Sequence, residues 1–68
     1  MSEIIFVVED SAEGGFLARA LGVSIYTQAD SLEALRDRLR DAVRCHFAAE
    51  EVPKLIRLHY VREEVIAS

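Results

Sequence analysis

Glu3-Ile4-Ile5-Phe6-Val7-Val8-Glu9 sets five consecutive apolar residues, four of them β-branched, between two charged ones. A short apolar run without polar alternation reads as a strand buried on both faces, and therefore interior to its sheet. Asp10-Ser11-Ala12-Glu13-Gly14-Gly15 follows as a turn, where glycine reaches positive φ without a steric penalty. Phe16-Leu17-Ala18-Arg19-Ala20-Leu21 is then the antiparallel return of a hairpin. Gly22 interrupts it, and Val23-Ser24-Ile25-Tyr26-Thr27-Gln28 supplies a third strand rich in β-branched and aromatic residues.

At Asp30-Ser31 the pattern changes. Either side chain can accept hydrogen bonds from free helix N–H groups, and Asp30 and Glu33 have capping-box spacing. From there Leu32, Leu35, Leu39, Ala42, Val43, His46 and Phe47 share one stripe at 100° per residue, which predicts a helix over about 32–48. Glu33, Asp37, Arg38, Asp41 and Arg44 form its solvated face, with Asp37–Arg40 and Asp41–Arg44 three residues apart. Pro53 lies beyond the expected end near Ala48 and opposes continuation. The last element, about 54–62, alternates: Ile56, Leu58 and Tyr60 face one way, Arg57, His59 and Val61 the other. One wetter side places this strand at a sheet edge.

These elements predict an α+β fold of order β-β-β-α-β, with strands at about 3–9, 16–21, 23–28 and 54–62. The helix carries the chain back across the sheet, by a right-handed crossover, to a fourth strand parallel to the first. The expected product is a single mixed four-stranded sheet of order 3-2-1-4 with one helix on one face. With Ala18 and Ala20 beneath the helix, Leu17, Arg19 and Leu21 face away from it, on the side most in need of a partner.

A chain of 68 residues allows one domain, and one so small buries only about 60% of its unfolded surface. Yet 51% of its residues are hydrophobic, so part of that surface is expected to meet a second subunit or partner. A net charge of −4 argues against direct nucleic-acid binding, which needs a concentrated basic face. Cys45 is alone and cannot form an internal disulfide. No apolar run approaches the ~20 residues of a membrane span, and Met1-Ser2-Glu3 lacks a signal-peptide charge pattern, so the expected location is cytoplasmic.

No catalytic set emerges. Cys45 and His46 are adjacent, but helix neighbours point about 100° apart, and Cys45 reads as an incidental, partly buried thiol at the border of the stripe. His46 reads as a packed histidine near the helix end. His59 lacks companions at metal-ligand spacing and reads as an exposed strand residue. Glu13-Gly14-Gly15 matches neither a P-loop nor a dinucleotide fingerprint. No cofactor or metal is expected.

Glu13-Gly14-Gly15-Phe16-Leu17-Ala18, followed some ten residues later by Thr27-Gln28-Ala29-Asp30-Ser31-Leu32-Glu33-Ala34-Leu35, resembles the HicB-like antitoxin family over about residues 3–62. The resemblance implies a partial RNase H-like fold. It also implies a partner: HicA, a small basic toxin of double-stranded-RNA-binding fold that cleaves mRNA with a histidine and whose active site the antitoxin occludes. Many family members carry a further C-terminal DNA-binding domain, whereas this sequence stops at Ser68, which suggests a stand-alone form without autorepression. Leu21-Gly22-Val23 replaces a frequent Pro-Gly turn, and Ala29 stands where glycine is usual.

The leading expectation is thus a non-catalytic module that binds a HicA-like toxin. The alternative is a stand-alone homo-oligomer (dimer or higher), or an accessory subunit without a toxin partner. A small nuclease is the third reading, and Glu9 and Asp10 are too few carboxylates for a two-metal RNase H site. Strand alternation nominates Leu17, Arg19, Leu21, Tyr26, Arg57, His59 and Val61 as interface residues.

Overall fold

The computed structural model describes residues 2–68. Its elements are β1 (Glu3–Asp10), β2 (Phe16–Ala20), β3 (Tyr26–Ala29), α1 (Leu32–His46), a 3-10 turn (Ala49–Glu51) and β4 (Leu55–Val61). They form one four-stranded sheet of order β3-β2-β1-β4, antiparallel except for the β1–β4 pair. The expected layout holds, with the most apolar strand inside.

The β1–β2 hairpin closes where the Ser11 N–H donates to the Gly15 carbonyl at 2.9 Å and the Gly14 N–H to the Ser11 carbonyl at 3.0 Å. Gly14 and Gly15 both take positive φ, 96° and 80°, as the turn requires. The third strand starts later than its β-branched run predicts. Gly22 turns the chain at φ 81°, the Ala20 N–H donates to the Ile25 carbonyl, and Val23 and Ser24 are spent in the loop. Only Tyr26–Ala29 pairs as strand with β2.

Ser31 caps α1, its Oγ accepting from the Ala34 N–H at 3.1 Å. The helix ends two residues short of Ala48: Phe47 is already extended (φ −106°, ψ 150°), and its N–H closes the last turn on the Val43 carbonyl. Leu35, Leu39 and Val43 are fully buried and meet Ile4, Phe6, Val8, Ala18 and Ala29 of the sheet. At roughly 25 cal/mol per Å² of apolar surface, each such side chain contributes about 1.5–3 kcal/mol. His46 is exposed rather than packed in the stripe; its ring meets Phe47 edge-on, with centroids 5.0 Å apart. Cys45 is likewise exposed, not partly buried. Of the two expected helix ion pairs, Arg40–Asp37 forms at 2.9 Å.

The helix lies chiefly over β3 and β2, and β4 packs against the core through its half-buried Ile56 and Leu58. This offset positions everything that follows.

Candidate functional site: the open sheet face and the β4 edge

Register fixes which side chains share a face. Phe6 pairs with Ala20 and with Leu58, Val8 with Ala18 and with Tyr60, and Ala18 with Thr27, so these point toward the helix. The intervening residues point the other way. Val7 pairs with Arg19 and His59, Glu9 with Leu17 and Val61, Glu3 with Leu55, Ile5 with Arg57, and Arg19 with Tyr26. The Leu21 N–H extends this set by donating to the Ile5 carbonyl.

Every nominated interface residue, Leu17, Arg19, Leu21, Tyr26, Arg57, His59 and Val61, therefore stands on one sheet face, over which no element packs among the described residues. Its centre is Ile5 and Val7, half-buried by their neighbours, so β1 is fully buried on its helix side alone. Two ion pairs cross this face: Arg57 Nε donates to Glu3 Oε1 at 2.5 Å, and Arg19 lies 3.8 Å from Glu9. Both are exposed pairs worth under about 1 kcal/mol each, so they orient side chains more than they hold the fold. No cysteine or histidine triad converges, because His59 is on the open face while Cys45 and His46 are on the helix behind the sheet. Among the described residues no group of three or more His, Cys, Asp or Glu could hold a metal ion, and no helix is long and apolar enough to cross a membrane.

The second feature follows from the helix offset. Between α1 and β4 runs an open groove of about 470 Å³, floored by Leu39, Val43, Ile56 and Leu58 and rimmed by Arg36, Arg40, Arg44 and Lys54. The arginines recur every fourth residue and so form one row along the helix. The sequence carries that spacing, but only the offset turns the row toward a groove rather than open solvent.

Exposed large hydrophobics concentrate on this edge. Leu55 (60% exposed), Tyr60 (52%) and Val61 (45%) are on β4, and Val65 (92%) and Ile66 (79%) follow it; the others, Leu21 and Tyr26, are on the open face. Residues 62–68 are exposed and outside any helix or strand. The molecule is 52 Å long against 19 and 17 Å across. That length is about twice the span of an eight-residue strand.

No protein-family model matches the chain, and no solved structure matches it. Its sequence is similar to a UPF0150 protein of Archaeoglobus fulgidus, with 56% identity over 52 residues, 76% of this chain and 77% of that one. A UPF0150 protein of Thermotoga maritima is 38% identical over 65 residues, 96% of this chain and 91% of that protein.

Proposed function

The chain belongs to the UPF0150 family, and from that premise we propose that it is a non-catalytic protein-binding module of HicB-like kind. In this reading it binds a small basic RNase toxin of HicA type and covers that toxin's active site. The observation that carries the reading is the uncovered sheet face. It joins an apolar centre (Ile5, Val7, Leu17) to a rim where Glu3 pairs with Arg57 and Glu9 with Arg19, in a protein of net charge −4. An apolar centre with a charged rim is how protein interfaces are built, and the protein's net negative charge favours encounter with a basic partner.

The reading as a binding module is in keeping with His59 standing on the open sheet face, apart from Cys45 and His46 on the helix behind it. The test is an RNA-cleavage assay with a HicA-type toxin from the same genome. Cleavage is expected to disappear once this protein saturates the toxin; unchanged cleavage at saturation overturns the reading. The alternative, a chain that associates chiefly with itself, is favoured by one separate observation, the cluster of exposed apolar residues along β4.

A further inference from the structure

We infer that the groove between α1 and β4 is the docking site of this chain's own tail. Residues 62–66 fold back over β4, seat Val65 and Ile66 on the apolar floor, and set Glu63 and Glu64 against the arginine row. The inference is independent of the toxin reading, which uses the opposite face of the sheet.

The make-up of the groove specifies its occupant. Its floor is apolar, and its rim carries Arg36, Arg40, Arg44 and Lys54 with no acidic residue among those that line it. Arg40 is held by Asp37, but among the described residues Arg36, Arg44 and Lys54 make no ion pair. A segment that fits must bring carboxylates and apolar side chains together. Glu63-Glu64-Val65-Ile66 has that composition. Its two apolar residues are the most exposed large hydrophobics among the described residues, Val65 at 92% and Ile66 at 79%.

Topology brings the two together. Both β3 and β4 run parallel to β1, so α1, entered from the end of β3, runs antiparallel to β4. Arg36, near the start of α1, thus stands at the end of the groove nearest Val61, where the tail begins. A reversal at Arg62 and Glu63 leaves Glu64, Val65 and Ile66 to run back along β4. At about 3.3 Å per residue those three span about 10 Å, which is the distance from Val61 back to Leu58. Val65 and Ile66 then cover Tyr60 and Leu58, both of which face the helix side.

Charge favours the same movement. In the extended position Glu63 lies beside Glu9 and Asp10 around one small hollow, like charge next to like. Folding back turns Glu63 and Glu64 toward Arg36 and Arg40, where opposite charges attract within a Debye length of about 10 Å at 0.1 M salt. It also removes Val65 and Ile66 from water.

The experiment is methyl NMR on the full chain, in an equal mixture of isotope-labelled and unlabelled protein, so that contacts within a chain are told apart from contacts between chains. The wild type is expected to show cross-relaxation from the Val65 and Ile66 methyls to those of Leu39 and Leu58 within one chain. Two charge-reversal variants, Glu63→Lys/Glu64→Lys and Arg36→Glu/Arg40→Glu, change only exposed positions. Each should weaken that signal at least about fivefold, and the two combined should restore it. No signal in the wild type, contacts that arise only between chains, or variants that leave the signal unchanged overturn the inference. If circular dichroism shows that the arginine variant has not folded, a salt titration of the wild type decides. Contacts that fade as ionic strength rises support the inference, and contacts independent of salt overturn it.

Discussion

Gly15 lies so close to Ala29 that a Cβ on Gly15 would collide with the Ala29 carbonyl oxygen. The first hairpin turn is thereby seated against the end of β3, immediately before the helix cap at Ser31. Gly15 also has φ 80°, where an L side chain costs about 1–2 kcal/mol. Gly15→Ala is therefore expected to lower stability by about 2–4 kcal/mol, strain and collision together, as read by urea unfolding. Gly14→Ala is the control: it shares the positive φ but meets nothing within 4 Å. A loss for Gly15→Ala no larger than for Gly14→Ala would show that the turn can move away from β3.

Leu39 is buried to 1% exposure at the middle of the helix stripe. Leu39→Ala is expected to cost about 2–5 kcal/mol through lost burial and the cavity left behind. A domain of this size holds only about 3–10 kcal/mol in all, so the urea midpoint should fall sharply. A midpoint unchanged within error would contradict the packing of α1 on the sheet.

Removing the Ser31 cap tests the helix start separately. Its Oγ accepts from the Ala34 N–H, and Ser31→Ala should cost about 1 kcal/mol. If Asp30 were the functional cap instead, Asp30→Ala would carry that loss and Ser31→Ala would be nearly neutral.

Much of the fold was legible because the chain leaves little choice. One strand is apolar throughout, one alternates, and only the order 3-2-1-4 puts the first inside while keeping β1 beside β2 and β2 beside β3 across their short connections. The alternation of β2 and β4 likewise separated Leu17, Arg19, Arg57 and His59 from the helix side before any register was known. Where reading failed, backbone bonding overrode side-chain pattern. Val23 and Ile25 have strand-like side chains, yet closing a loop after Ala20 consumes Val23 and Ser24. Phe47 continues the apolar stripe but is extended, so the helix stops well before Pro53 could stop it. The groove and its arginine row could not be read from the sequence, because they depend on the helix lying over β3 rather than β4, a tertiary offset with no local signal.

Cys45 is exposed on α1. A thiol reagent is expected to modify it fully in the native state, at a rate close to that in denaturant, because the side chain is open to solvent. Strong protection in the native protein would mean that this side of the helix is covered in solution.

The Arg57–Glu3 pair ties the start of β4 to the start of β1 on the open face. As an exposed pair it should contribute less than about 1 kcal/mol, so Arg57→Ala is expected to leave thermal unfolding nearly unchanged. A loss of several kcal/mol would mean that Arg57 is buried in an assembly.

Calorimetric titration of a HicA-type toxin into the wild type, Leu21→Ala/Tyr26→Ala and Arg36→Ala tests the central claim most directly. The open sheet face as binding surface predicts saturable binding to the wild type, weakened at least about tenfold in Leu21→Ala/Tyr26→Ala. Arg36→Ala, on the helix side, should bind as the wild type does. No binding at saturating concentrations, or equal affinity for all three proteins, would contradict it.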